Sequence, residues 1–197
     1  MTYFTSDLHL GHENILSLCS RPFETVEKMD ETIIENWNKR VKKNDVVFVL
    51  GDVVWDKKRL ASYMARLMGT KILIAGNHDA FAKNKELCAS FKEVHSYLEK
   101  NLDGHPITMC HYPMLEWNKS RREMEHRLGF LIHGHIHNRI SSDYRQLYIR
   151  HNALNAGVDI NGFAPVTFDE LLENNLRFKL SALESDADRE LLLSGLA

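Results

Sequence analysis

The first half of the chain alternates short apolar runs with longer amphipathic stretches. Residues 2–6 are short and β-prone, whereas the apolar runs at 46–50 and 71–75 have the length of strands and are continuous, as in strands buried on both faces. Between them, residues 26–43 and 57–68 carry apolar side chains at helical spacing. Strands that alternate with helices in this way predict a layered α/β sandwich.

The second half predicts shorter strands, followed by a segment whose structure the pattern leaves open. Strands are expected at 92–98, 106–110, 129–133, 147–151 and 176–180. Residues 181–197 are acidic and then leucine-rich, which fits a helix packed on the body, a dimer contact or a frayed tail. A homodimer is therefore compatible with the sequence. We expect residues 1–197 to form one domain, because 197 residues of which 44% are hydrophobic suffice for one compact core.

Composition excludes several classes of protein. No apolar run approaches the ~18 residues of a membrane-spanning helix, and the first residues lack the pattern of a signal peptide. The net charge of −2 gives no sign of a protein that coats nucleic acid. Cys19, Cys88 and Cys110 form no paired motif, so we expect free thiols and a cytoplasmic location. Eleven histidines are many for this length, and they are unevenly spread.

Clusters of polar residues follow five of the apolar runs. In order along the chain they are Asp7-x-His9, Gly51-Asp52, Gly76-Asn77-His78-Asp79, His111 and Gly134-His135-x-His137. The carboxyl ends of strands in an α/β sheet lie along one edge, where ligands bind. The clusters are therefore expected to converge in space.

The residue types in these clusters favour a metal centre. Carboxylate, amide and imidazole donors without a thiolate suit manganese, iron, zinc, cobalt or nickel, with manganese as the first expectation. Seven donors exceed the needs of one tetrahedral ion and suit two ions that share a carboxylate. Paired divalent ions are the usual device for in-line displacement at phosphorus.

Taken together, the five blocks resemble the calcineurin-like metallophosphoesterase superfamily. The opening residues 5–14 and Arg21-Pro22-Phe23 are similar to a small branch of predicted phosphohydrolases in prokaryotes and phages. The resemblance implies a four-layer α/β/β/α sandwich. It also implies one ion on Asp7, His9 and His137, a second on Asn77, His111 and His135, and Asp52 between them.

The same resemblance implies a dinuclear, metal-dependent hydrolase of phosphate esters. A water bridging two divalent ions would lose its proton near neutral pH and attack phosphorus. His78 is expected to face the substrate as the catalytic histidine and to protonate the leaving group. Protein phosphatases of the family place an orienting Asp three residues after the bridging carboxylate, whereas Trp55 occupies that position here.

Residues around the five blocks are expected to support the site. Asp79 is predicted to fix the loop or His78, and His133 to lie behind the ligands. Arg21, His12 and Asn14 are candidate substrate contacts. For binding a phosphate group through two N–H donors, Arg21 is preferred over the Arg121-Arg122 pair. The segment 116–128 fits either a basic lid or a solvated helix.

The expected partner is a small phosphate ester, with a phosphodiester or nucleotide favoured over other esters. Two alternatives stay open on the sequence alone. One is a binding scaffold that keeps the fold without catalysis, against which His78 and the complete ligand set argue. The other is a nuclease subunit, against which the short chain and the absence of an extended basic face argue.

Overall fold

Two four-stranded sheets form the framework of the protein in a computed structural model that describes residues 1–102, 104–121 and 128–195. The first sheet has the order β1-β2-β3-β4, and every neighbouring pair is parallel. Its strands are β1 Thr2–Thr5, β2 Val46–Val49, β3 Thr70–Ile74 and β4 Glu93–His95. The mixed α/β class that the sequence predicts is confirmed.

The second sheet has the order β5-β6-β7-β8 and begins with an antiparallel hairpin. The pairs β6–β7 and β7–β8 are parallel, so these three strands end at the same edge. The strands are β5 Tyr97–Leu102, β6 His105–Cys110, β7 Phe130–His133 and β8 Ala153–Asn155.

Seven α-helices connect and cover the sheets in the described part of the chain. They are α1 Ile15–Leu18, α2 Val26–Arg40, α3 Leu60–Arg66, α4 Lys85–Cys88, α5 Arg145–Tyr148, α6 Phe168–Ala182 and α7 Asp186–Ser194. Both long helices begin at a threonine whose hydroxyl accepts a backbone N–H, Thr25 for α2 and Thr167 for α6. Among these helices none is both long and apolar enough to cross a membrane.

Consecutive residues of the strands enter different apolar clusters, because side chains alternate between the faces of a strand. Tyr3 and Val47 pack outward with α2 and α3, whereas Phe4 and Phe48 face the second sheet. In the second sheet, Ile132 faces inward and Leu131 packs outward with α5 and α7. Each sheet is thus covered on both faces, which explains the continuous apolar runs in the sequence.

Helix α6 complicates a strict division into layers. Leu171, near its start, joins the cluster between the sheets, whereas Leu176 and Phe178 join the outer cluster beside α5 and α7. The helix therefore contributes to two cores.

Two predicted strands are wrong, the predicted strand 92–98 is divided between β4 and β5 of different sheets, and one strand was missed. Residues 147–151 overlap α5, and residues 176–180 lie within α6. In α6 the buried positions include Asn175 and Lys179, so the helical period of apolar residues is hidden in the sequence. The missed strand β8, Ala153–Asn155, has only three residues, which is too short for a periodic signal.

The C-terminal segment forms a helix packed on the body. Leu183 and Leu192 are buried in the cluster that contains Leu131 and Ala153. Residues 196–197 of this segment lie outside the described residues.

Candidate metal centre

The polar clusters converge where the carboxyl ends of the two sheets meet. Asp7, Asp52 and Asn77 follow β1, β2 and β3, whereas His111 follows β6 and His135 and His137 follow β7. A direct contact joins the sheets, because the backbone N–H of His135 donates to both carboxylate oxygens of Asp7 at 3.1 and 3.0 Å. The predicted convergence of the clusters is therefore observed.

Asp52 occupies the middle of the cluster. Its Oδ2 lies 3.6 Å from Nε2 of His9 and 3.6 Å from Nε2 of His111. Its Oδ1 accepts a hydrogen bond from the backbone N–H of His78 at 2.9 Å. One carboxylate oxygen is therefore held by the backbone, and the other faces imidazoles from both sheets.

Three groups of described side chains have donor atoms within 4.8 Å of one another and could hold a cation. The first is Asp7, His9 and His137, and the second is Asp7, Asp52 and His111. The third, Cys19, His137 and Asp159, adjoins the first. Asn77 extends the second group, because its Oδ1 lies 3.0 Å from both Nε2 of His111 and Nδ1 of His135. All seven predicted ligands are thus connected by contacts of 3.8 Å or less.

The proton position on His111 tests whether a cation fits. Nδ1 of His111 lies 2.6 Å from the carbonyl oxygen of Leu50, which can only accept, so His111 donates from Nδ1. A neutral imidazole then carries its lone pair on Nε2. In His111 this lone pair faces the oxygens of Asp52 and Asn77, which are acceptors themselves. Acceptors that converge without a donor between them suit a bound cation.

His9 supplies a second indication of a cation. Its Nε2 is one of three buried side-chain N or O atoms without a hydrogen-bond partner in the described part of the chain. Buried polar atoms are nearly always paired, so an orphan at a candidate ligand calls for a partner such as a metal ion. Burial lowers the pKa of His9, which keeps the ring neutral and able to coordinate.

Burial and the neighbouring carboxylates change the pKa values of Asp7 and His137. Burial raises the pKa of Asp7. Burial alone lowers the pKa of His137, but contacts with Asp159 and Cys19 and the charge of Asp7 raise it to about 10. The electrostatics beside Asp7 therefore favour positive charge, which a divalent cation would supply.

The backbone around the centre adopts an unusual conformation. Asp7, His9, Asp52, His135 and His137 all have φ between 50° and 71°, a region that side chains other than glycine rarely adopt. Five of the eight such residues in the described chain are therefore candidate ligands. Strained residues of this kind cluster at functional sites, where the surrounding structure holds them.

Close approach of the loops also requires two glycines. A Cβ on Gly76 would lie 2.5 Å from Oδ1 of Asp52. A Cβ on Gly134 would lie 1.9 Å from Oγ of Ser6 and 2.5 Å from Oδ2 of Asp7. The glycines that precede Asn77 and His135 thus leave the space that the acidic side chains occupy.

Asp79 fixes the loops that carry Asp52 and Asn77. Its carboxylate accepts backbone N–H groups from Asp52 at 2.8 Å, Val53 at 3.1 Å and Gly76 at 2.9 Å. This arrangement corresponds to the loop-fixing alternative for Asp79. The neighbouring His78 is exposed, and its ring lies 5.6 Å from that of His9 and 5.4 Å from that of Trp55.

The position of Arg21 corrects the prediction of a substrate contact. Its side chain is fully buried and bonds to both carboxylate oxygens of Asp159. It also donates to the backbone carbonyls of Asp7 and Leu8 at 2.7 and 3.0 Å. Because its donors are bound to protein groups, Arg21 holds the backbone of the loop that carries Asp7 and His9.

Asp159 is a residue of the candidate centre that the sequence did not predict. Its Oδ2 lies 2.9 Å from Nδ1 of His137, and the contacts with His137 and Arg21 lower its pKa although burial opposes this. Asp159 follows the short β8 as the other clusters follow their strands. The run Ala153–Val158 ahead of an aspartate was the available signal.

The remaining predicted residues lie at different depths. His12 is buried, with its Nδ1 3.3 Å from Nδ1 of His9 and its ring stacked on Trp55. Asn14 is exposed at the start of α1 and makes no side-chain cap there. His133 is buried, its Nδ1 lies 2.9 Å from the carbonyl of Gly134, and burial lowers its pKa to about 4.

The predicted lid segment is described only in part. Trp117 is buried and its indole N–H donates to the carbonyl of Gly129 at 2.9 Å. Arg121 is exposed and pairs with Glu116 at 2.6 Å. Arg122 and Arg127 lie outside the described residues.

The chain belongs to the calcineurin-like phosphoesterase superfamily, whose domain pattern matches residues 3–158. This membership supports a metal-dependent phosphoesterase in general terms and agrees with the candidate metal centre.

Relatives of similar length match most of this chain, and their names give no substrate. An uncharacterized protein of Methanocaldococcus jannaschii is 30% identical over 174 residues, which cover 87% of this chain and 89% of that protein. The Gene 66 protein of Mycobacterium phage L5 is 28% identical and covers 82% of this chain and 87% of its own length. The crystal structure of AQ665, a protein of unknown function from Aquifex aeolicus, matches with a TM-score of 0.66 and 29% identity over 88% of this chain and 98% of that one.

Proposed function

We propose that this protein is a dinuclear metal-dependent hydrolase of phosphate esters. The observation that carries the proposal is the orientation of His111, whose Nδ1 donates to Leu50 and whose Nε2 faces two acceptor oxygens. His137 has a similar partner on its second nitrogen, since Nδ1 contacts Asp159 and Nε2 lies 3.8 Å from Oδ1 of Asp7. Metal-binding histidines are characteristically oriented by such a partner on the second nitrogen. A bound cation would replace the proton that the raised pKa of His137 keeps on the ring.

The donors divide between two ions. Asp7, His9 and His137 would hold the first ion, and Asn77, His111 and His135 the second. Asp52 would bridge the two, which its equal distances to His9 and His111 support. Manganese is the expected metal because the donors are oxygen and imidazole, with iron, zinc, cobalt and nickel as alternatives. Bound ions of this kind supply an activated water and neutralise charge on a phosphoryl group.

His78 would act on the leaving group. Its ring is exposed beside the centre, and its backbone is held by Oδ1 of Asp52. No carboxylate of the described residues bonds to the ring: Asp79 accepts backbone N–H groups, and Asp56, which follows Trp55, accepts the N–H of Lys58. His78 would therefore hold a proton at the departing oxygen with Trp55 and His9 as its ring neighbours.

The expected substrate is a small phosphodiester or nucleotide. A phosphodiester carries one negative charge on its non-bridging oxygens, whereas a monoester dianion carries two, so the metal ions have less charge to neutralise. The exposed position of His78 also leaves room for a large leaving group.

Metal content and hydrolysis together test this proposal. After chelation and reloading with manganese, elemental analysis should approach two ions per chain, and the loaded protein should hydrolyse bis(p-nitrophenyl) phosphate. Asp52→Asn should lose both properties, whereas Asp56→Asn, which alters an exposed turn, should keep them. Full hydrolysis after exhaustive chelation would refute the metal mechanism. Two bound ions without any hydrolysis across phosphate esters would favour the binding scaffold.

A further inference from the structure

Trp55 differs from the other tryptophans in its surroundings. Trp37 and Trp117 are buried, and their indole N–H groups donate to the carbonyls of Met68 and Gly129. Trp55 is 51% exposed, and no described residue accepts a hydrogen bond from its indole nitrogen. An exposed tryptophan forgoes the apolar burial that a side chain of this size normally gains, so its position at the candidate centre requires an explanation.

The ring of Trp55 is held in a defined orientation. It stacks on His12 with ring centroids 3.7 Å apart and planes inclined by 3°. His12 is itself buried against His9, so it forms a rigid base. The backbone is fixed as well, because the N–H of Trp55 donates to the carbonyl of Leu10 at 3.0 Å. The indole is therefore ordered before any ligand arrives, which lowers the entropic cost of binding to it.

The indole ring of Trp55 lies on the side of the candidate centre where the leaving group would depart. Trp55 lies beside His78, with centroids 5.4 Å apart, and His78 is the residue assigned to the leaving group. Tyr112 is similarly exposed at 47%, but its ring neighbours are His135 and His111. The two aromatic residues thus contact different histidines, and only Trp55 adjoins the leaving-group side.

We propose that Trp55 is a specificity-determining residue that stacks on a planar ring in the alcohol part of the substrate, as in an aryl ester or a nucleotide. The inference rests on the proposed function for the role of His78. Its physical basis is that an ordered aromatic face binds a planar ring by stacking without selecting one particular base. The alcohol bonded to the phosphate would then extend past His78 onto the indole.

Binding tests the inference apart from catalysis when it is measured on manganese-loaded His78→Ala, which should keep both ions and lose most of the rate, with every variant below made in that background. Calorimetry would compare adenosine 5′-monophosphate and phenyl phosphate, which carry a planar ring, with glycerol phosphate, which carries none. Trp55→Ala should weaken the two ring-bearing ligands on the order of tenfold and leave glycerol phosphate nearly unchanged. Trp55→Phe, which keeps an aromatic face, should retain much of the affinity.

Tyr112→Ala is the matched control, because it removes a similarly exposed ring that contacts His135 and His111 instead of His78. Weakening of all three ligands to the same extent by Trp55→Ala would overturn the inference, as would equal effects of the two variants. Selective loss for adenosine 5′-monophosphate alone would assign a nucleoside, and loss for both ring-bearing ligands a general aryl surface. Ring-selective binding, together with no hydrolysis of any ester by the protein that retains His78, would refute the proposed function and leave the Trp55 surface established.

Discussion

Nδ1 of His137 lies 2.9 Å from Oδ2 of Asp159, and this contact ties the candidate metal centre to the end of the second sheet. The same carboxylate accepts two hydrogen bonds from the buried Arg21. One acidic residue therefore orients a candidate ligand and neutralises a buried charge.

Replacing Asp159 should weaken metal binding without removing a ligand. In Asp159→Asn the amide cannot accept from both partners, so His137 loses its fixed orientation. We expect the affinity for the first ion to fall roughly 10–100-fold, as for other partners of ligating histidines. Competition with a calibrated chelator would measure it, with the exposed Asp143→Asn as control. Unchanged affinity would show that His137 is oriented by other groups.

Arg21 should matter for stability before it matters for the substrate. Arg21→Ala leaves Asp159 buried and partly unpaired, and breaking a buried pair in this way costs about 3–5 kcal/mol. Urea denaturation would measure the loss in the free energy of unfolding. Arg121→Ala should change it little, because that pair is exposed. If Arg21→Ala instead keeps its stability and raises only KM, the side chain reaches the substrate after all.

His78 and Asp52 should separate catalysis from metal binding. His78→Ala should retain both ions and lose about 10²–10⁴ of the rate, the range expected for a lost general acid. Asp52→Asn should lose metal and rate together, because its Oδ2 faces both histidine groups. Elemental analysis and kcat would be measured for both variants. Loss of metal in His78→Ala would refute the role given to this residue.

The space above Gly134 should be essential for the centre. In Gly134→Ala the new Cβ would meet Oγ of Ser6, which is itself held by a 2.6 Å hydrogen bond to Leu50. Overpacking of this kind costs about 1–3 kcal/mol, and the displaced Asp7 should also weaken metal binding. Gly162→Ala is the control, because nothing lies within 4 Å of its Cβ although its φ is +65°. Equal metal content in the two variants would contradict the prediction.

Lys179 should make stability depend on pH. Burial lowers its pKa from 10.5 to about 7, and the ammonium group donates to the carbonyls of Arg150 and Ala153. Between these values the unfolded chain binds more protons than the folded one, so the free energy of unfolding should rise with pH from about 7 to 10.5. In Lys179→Met this contribution disappears. Denaturation of both proteins across the range measures it, and parallel curves would show that the lysine keeps its ordinary pKa.

The local parts of the fold and the site could be predicted from sequence. Strands β2 and β3 are dense apolar runs, β1 is a short β-prone segment, and α2 has a clear helical period, so the local sequence pattern located all four. Convergence of the polar clusters also followed, because residues that end neighbouring strands must meet at one edge. Pattern failed where polar residues are buried, as for Asn175 and Lys179 in α6.

Only the tertiary structure decided what surrounds those clusters. Arg21 and Asp159 are separated by 138 positions, and no local pattern links them. The stacking of Trp55 on His12 likewise joins the loops after β1 and β2. By itself, the sequence determined the first three strands, helix α2 and the polar residues that follow the strands, because these depend on neighbours along the chain. Which arginine is buried, which aspartate orients His137 and which ring remains exposed depend on packing between distant segments, which only the folded chain brings together.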